Sequence, residues 1–424
     1  MLKRFSKSYK IINKDEFVEK ITQFSSTKNN FVLLNSNDYS DEYDLIVAYG
    51  IESFIESSEN SLIKLDNYIK SIDDWVFGYF SYDLKNEIED LNDKNENIFN
   101  LPNLHFFQPK AVWLIKNGTA TILSNNKKYL IDDWIQINSI DCLESFIKSK
   151  INLKSRESKD DYIKKINGIK KRILKGDCYE MNFCFDMYSK NNTINPYQTY
   201  IKLNNYTRSP MSTFLKLDNL YLMSSSPERF IKRENKKIIS QPIKGTAKRG
   251  LDSNEDKEIT NKLLSDPKEL SENHMIVDLV RNDLSRIAEK GSVRVKKLNK
   301  LNTFKRVHQL ISTIEANIQP DIEFSKIIKG TFPMGSMTGA PKIKSMNIID
   351  EYESVRRGLY SGSVGYIKPN KDFDFNVIIR SIIYDRKLKE INVSVGSAIT
   401  FKSDAESEYD ECLIKAEPMI RSLK

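Results

Sequence analysis

The sequence predicts an α+β fold, with large antiparallel sheets and helices at their periphery. Strand-like segments joined by tight turns recur along the chain, and helices fall among them without regular βαβ alternation. No glycine fingerprint for phosphate binding bridges a strand and a helix, which removes the nucleotide-binding doubly wound class. Taking the elements in order, roughly the first 145 residues mix strands and helices by period. Residues 111–115 and 119–123 flank Asn117-Gly118, a strong signal for a two-residue hairpin turn. Residues 85–97 are charged or amide-bearing apart from Ile88 and Leu91, and read as a solvated loop. The polar stretch 148–160 reads as a boundary between an N-terminal part, 1–147, and a C-terminal part, 160–424. A helix over 162–175 should stop at Gly176. Strands follow at 220–224, 230–233 and 237–240, and later at 375–384 and 390–395 around the turn 385–387.

A chain of 424 residues has room for a large core and two or three domain-sized units. Its net charge of +8 comes from basic residues spread along the chain, not gathered into a stripe with aromatics, so a nucleic-acid partner is not expected. Cys142, Cys178, Cys184 and Cys412 show no CxxC spacing, and three histidines are too few for a zinc cluster. The opening residues Met1 to Lys7 are not followed by an apolar run, and no segment reaches the ~20 apolar residues of a membrane span. The expectation is a soluble, cytoplasmic protein with reduced thiols and no membrane partner.

Two helices carry carboxylates in unusual places. Asp266-Pro267-Lys268-Glu269 is a helix start, and Met275, Ile276 and Leu279 put Glu272 on the apolar face of that helix. A carboxylate there must be paired, protonated or metal-bound, with Arg281 or Arg286 as candidate partners. Ser403-Asp404-Ala405-Glu406 reads as a capping box, and Glu408, Glu411 and Lys415 then cluster along one edge of the helix it opens. Taken alone, that edge is better explained by an exposed Glu411–Lys415 pair. Magnesium takes one or two protein carboxylates and completes its shell with water and substrate oxygens, which Glu272 and Glu411 could supply.

Pro242-Ile243-Lys244-Gly245-Thr246 places a lysine at a strand end beside backbone N–H groups, and Glu228 lies on the strand before it. An amine and a carboxyl converging there suit a nucleophile and an acid. A nucleophilic lysine needs its pKa lowered from ~10.4, and apolar flanks and a nearby cation are expected to do so.

These residues belong to a longer set. Gly176 to Asn182, Ser226 to Phe230, Pro242 to Thr246, Glu272 to Asp283, Phe332 to Lys342, Tyr360 to Tyr366, Arg380 and Glu408 to Glu411 follow in order. From about Tyr162 onward the chain resembles the chorismate-utilising enzymes, and Lys244 points to their aminodeoxychorismate synthase component I branch. The resemblance implies a sandwich-like sheet core like that of anthranilate synthase component I. It makes Glu272 and Glu411 ligands of Mg²⁺, Glu228 the general acid/base, and Arg380 and Tyr366 the grip on a substrate carboxylate. Gly245, Thr246, Gly396, Ser397 and Ala398 would offer backbone donors, and Lys415 a further cation. Lys244 would attack the chorismate ring at C2, expelling the C4 hydroxyl, before ammonia adds at C4 and releases it. Anthranilate and isochorismate synthases usually carry alanine in its place. Three departures stand out: Glu180 where the nearer branch has glutamine, Gln309 where many relatives have histidine, and Ser397-Ala398 in a glycine-rich run. With no glutaminase signature around a cysteine, ammonia should come from a separate glutamine amidotransferase subunit. The alternatives are an anthranilate synthase component I and an inactive chorismate-binding regulatory subunit.

Overall fold

Strand alternation decides the architecture. In a computed structural model that describes residues 4–39, 41–91, 93, 95–142 and 151–424, successive strand residues are buried into two different apolar clusters. Phe31 and Leu33 join one cluster and Val32 the other; Tyr221 and Met223 likewise separate from Leu220 and Leu222. The first cluster takes in helix residues such as Ile21, Ile166 and Met419, so that face of the sheet is covered by helices. The second holds Val32, Ile46, Phe77, Val112, Leu215, Val364 and Ile383, all from strands, and is the sheet-on-sheet core of a sandwich. The predicted α+β sandwich with peripheral helices is the observed fold.

Among the described residues, twenty strands form one hydrogen-bonded network in which every named strand pair is antiparallel. Phe31–Asn35 pairs with Met211–Leu217, and Val76–Phe80 pairs with Ser363–Ile367, so strands from both sides of the expected boundary share the network. Part of that boundary, 143–150, lies outside the described residues; beyond it Lys154–Ser155 is a short strand and a helix runs over Lys159–Leu174. Gly176 follows at φ +83°, the left-handed stop expected of it. The Asn117-Gly118 turn also forms, with both residues at positive φ between Leu104–Lys116 and Thr119–Ser124.

Two expectations are corrected. Residues 85–97 do not all form a solvated loop: Lys85 is wholly buried, with its Nζ 2.7 Å from Asp350 and 3.8 Å from Asp93. Lys85 and Asp93 of this segment serve a buried ion cluster, and residues 92 and 94 lie outside the described residues. The strand expected over 375–384 is two, Phe373–Asn376 and Ser381–Asp385, because the chain breaks between them and Arg380 takes φ +49°.

Candidate active site

A cleft of about 1040 Å³ opens where strand ends meet the helices Pro267–Ser285 and Ala405–Ser422. Lys244 reaches it through an irregularity in Ile243–Lys248. Ile243 pairs with Ile311 but Thr246 with Gln309, so one extra residue is accommodated between them. A bulge of this kind re-aims a side chain out of the ladder, and Gly245 absorbs the turn at φ +85°. Glu228 sits between Leu220–Ser226 and Arg229–Glu234, almost fully buried, and its Oε1 accepts a 2.7 Å hydrogen bond from Ser336 Oγ. Burial pushes its carboxyl up to about 7, and Ser336 and Lys244 offset only part of that effect. A carboxyl group that is half protonated near neutral pH suits general acid work.

Lys244 does not have the lowered pKa expected of it. Burial opposes its charge, but Glu180, Glu272 and Glu228 together outweigh burial and hold the ammonium above its ordinary value. Its Nζ lies 2.6 Å from Glu180 Oε1. The expectation counted apolar neighbours along the chain, whereas the fold brings carboxylates in from other elements.

Arg380 lines the cleft in its left-handed backbone conformation, an uncommon state for a non-glycine residue that tends to occur at functional sites. Its guanidinium makes no hydrogen bond or ion pair to the described residues, and burial holds its pKa below the ordinary value with partial offset from Glu228 and Tyr360. An unengaged, half-buried guanidinium on a cleft wall is a ready-made site for a carboxylate. Tyr366 is not beside it. On Ser363–Ile367 it shares parity with Val364 and points into the sandwich core against Trp75 and Phe77. The cleft is lined instead by Tyr206 and by Tyr360, which sits in the turn before that strand. Alternation was the available signal: position 366 is in phase with an inward valine, whereas position 360 precedes the strand.

Gly245, Thr246, Gly396, Ser397 and Ala398 all line the cleft. A Cβ at Gly396 would stand 2.5 Å from Cys184 Sγ, so close packing requires glycine there. Lys415 also lines it, but its ammonium is engaged, 2.6 Å from Glu411 and donating to the Gly396 carbonyl at 3.0 Å. Gln309 donates to Thr246 Oγ1 at 3.2 Å.

On the helix side, Asp266 caps Pro267–Ser285 as expected. The last long helix is capped by Asp404, because Ser403 Oγ instead accepts from the Thr400 N–H. Glu272 is buried and pairs with neither arginine: Arg281 holds Asp278, and Arg286 lies 4.0 Å from Glu89. Its Oε1 has no hydrogen-bond partner, and burial pushes the carboxyl up to about 7. Lys268 reaches into the same group, 3.0 Å from Glu408 and 3.9 Å from Glu272. Glu411 is about half exposed; burial raises its pKa, but Lys415, with Lys268 and Lys244, more than compensates and holds it below its ordinary value. Among the described residues no group of three or more His, Cys, Asp or Glu is arranged to hold a metal by itself. Glu272 and Glu411 nonetheless fit a magnesium ion that draws most ligands from water and substrate, since Glu272 carries a buried oxygen without a partner. Sequence reasoning missed Tyr360, Ser336 and Asn182, which also line the cleft; as neutral side chains on a strand and in turns they stand out only once the chain is folded.

The family of chorismate binding enzymes matches residues 22–421. The chain belongs to that family. It is 33% identical over 351 residues to aminodeoxychorismate synthase component 1 of Escherichia coli, covering 82% of this chain and 77% of that protein. It is 39% identical over 263 residues to a probable chloroplastic aminodeoxychorismate synthase of rice, covering 61% of this chain but spanning only 29% of the rice protein. Anthranilate synthase component I of Streptococcus pneumoniae shares the fold at a TM-score of 0.79 and 26% identity, over 89% of this chain and 92% of that one. In this family member no helix among the described residues is long and apolar enough to cross a membrane.

Proposed function

We propose that this chorismate-binding enzyme is a cytoplasmic aminodeoxychorismate synthase component I. It takes chorismate and ammonia to 4-amino-4-deoxychorismate and water, for para-aminobenzoate and folate synthesis. Lys244 carries the reading: an amine at the cleft wall, aimed by a bulge, beside a carboxyl held near neutrality. The residues 160–424 would form the catalytic part and 1–147 an N-terminal subdomain.

Arg380 would bind a carboxylate of the dianionic substrate, with Tyr360 beside it. The free amine of Lys244 would attack C2 as the ring double bond shifts and the C4–oxygen bond breaks. Protonated Glu228 would deliver its proton to the departing hydroxyl, which leaves as water. Ammonia would then add at C4, the electrons of the C2–nitrogen bond returning to Lys244, and the new ammonium would return a proton to Glu228. Glu272 and Glu411 would hold Mg²⁺, which when bound would polarise the ring carboxylate and stabilise charge on the departing hydroxyl. Ammonia would be supplied by a glutamine amidotransferase partner, so this chain by itself should use ammonium salts and not glutamine.

Mass spectrometry of products from chorismate, magnesium and ammonium salts tests the proposal. A product of 4-amino-4-deoxychorismate is expected. Anthranilate with pyruvate, and no lyase added, would overturn it in favour of the anthranilate reaction; binding without turnover would favour a regulatory subunit.

A further inference from the structure

The proposed reaction needs Lys244 as a free amine, yet the folded chain stabilises its ammonium. Some group must take that proton at the moment of attack. Glu180 is the only carboxylate ion-paired with Lys244 among the described residues, at 2.6 Å. Its side chain is 2% exposed, so water does not compete for the contact, and its second oxygen, Oε2, is buried with no hydrogen-bond partner. The position is rigidly held. Glu180 opens the strand Glu180–Ser189 and is paired on one side with Ala340 and on the other with Thr400.

We propose that Glu180 is a catalytic residue, the general base that takes the proton from the Lys244 ammonium as its nitrogen attacks the ring. This rests on the proposed function and assigns a task to the residue by which the chain departs from the glutamine expected there. A glutamine amide could hold Lys244 but could not accept its proton.

The balance closes over one turnover. Lys244 gives a proton to Glu180 and forms the C2–nitrogen bond; Glu228 gives a different proton to the leaving hydroxyl. When ammonia displaces Lys244, the amine is released neutral, and Glu180 returns the proton to it. Two carboxyl groups therefore act on two different protons, and their surroundings differ. Glu228 accepts a hydrogen bond from Ser336 and feels Lys244 and Arg380 without an ion pair to either, whereas Glu180 is ion-paired directly with the lysine. Glu272 and Glu269, from the helix Pro267–Ser285, and Lys268 and Glu411 complete the charges around the amine and its neighbours. None of them is ion-paired with it.

The test is the rate at which chorismate without ammonia forms a covalent adduct on Lys244, read by intact mass and peptide mapping, in the native chain and in Glu180→Gln. The native chain should form the adduct readily near neutral pH. Glu180→Gln should form it ~100-fold more slowly at pH 7, the scale of a lost general base. Its rate should climb about tenfold per pH unit toward the ordinary lysine pKa of ~10.4, while the native rate changes little. A KM for chorismate within about twofold of native, and partial return of the rate in Glu180→Asp, separate proton transfer from a merely structural role. Equal adduct rates with the same pH profile in the native chain and Glu180→Gln would overturn this inference alone. A native chain that forms no adduct at Lys244 would overturn the proposed lysine chemistry and this inference together. Should Glu180→Gln fail to fold, Glu180→Asp decides: a native-like pH profile at reduced rate supports the base, and a uniformly raised KM with native turnover overturns it.

Discussion

The two walls of the cleft are built on different physical terms. The sheet wall carries Glu228, Lys244 and Arg380, with the buried Glu180 behind Lys244, and two of these are aimed by backbone irregularities: a bulge at Lys244 and a left-handed residue at Arg380. The helix wall carries Glu272, Glu408 and Glu411 on two helices with regular caps, where Lys268 and Lys415 neutralise neighbouring carboxylates. Glu411 is half exposed there, while Glu228 opposite is closed off from water. On the sheet wall burial raises Glu228 while carboxylates keep Lys244 charged; on the helix wall burial raises Glu272 while cations hold Glu411 down. The difference suits a wall that performs proton and covalent chemistry facing one that gathers charge for an ion and a substrate carboxylate.

If that division holds, the largest loss should come from the more exposed wall. Glu411→Gln should abolish turnover, ~1000-fold or more, because the proposed magnesium ion would contribute several kcal/mol of charge stabilisation and would need the ligand's charge. Thermal unfolding should be unchanged, since the side chain is half exposed. Native activity at low magnesium would break the comparison. On the sheet wall, Lys244→Ala should lose the chorismate adduct and most activity, roughly 100- to 1000-fold, leaving slow direct addition of ammonia. Full activity in that variant would return Lys244 to a binding role.

Arg380→Ala should act mainly on substrate binding. A lost charge-assisted hydrogen bond of ~1.5–3 kcal/mol predicts a rise in KM of about 10- to 100-fold, with a smaller change in kcat. Steady-state kinetics on chorismate measure it, and Tyr366→Phe should leave KM unchanged because Tyr366 faces the sandwich core.

The smallest effect concerns stability. Glu228 is raised from 4.5 to about 7 on folding. Between those values the folded chain keeps a proton that the unfolded chain sheds, so this group's contribution to stability falls as pH rises and levels off above about 7. Glu228→Gln should remove that slope. Its stability relative to the native chain should grow from pH 4.5 to about 7, reaching at most roughly 3 kcal/mol, as urea unfolding at a series of pH values would read. A constant difference across that range would show that Glu228 is not the buried acid described here.

Much of this was legible along the chain. The Asn117-Gly118 hairpin, the Gly176 stop and the Asp266 cap are local, since a turn or cap is decided by residues within a few positions of each other. The order of motifs from Gly176 to Glu411 was enough to indicate the family and eleven of the twelve expected site positions that line the cleft. Position 366 failed for a reason that is also local in principle, the parity of a strand, but its consequence depends on which face meets the second sheet.

What the sequence by itself determined was where strands, turns and caps lie and which chemical groups are present, because those follow from short-range sterics and hydrogen bonding. The protonation of those groups was decided only by the tertiary structure. Lys244 has Ile243 and Gly245 as chain neighbours, but its charge answers to Glu180, 64 positions away, together with Glu228 and Glu272. Coulombic interaction and desolvation depend on distance in space and exclusion of water, and neither is a function of spacing along the chain.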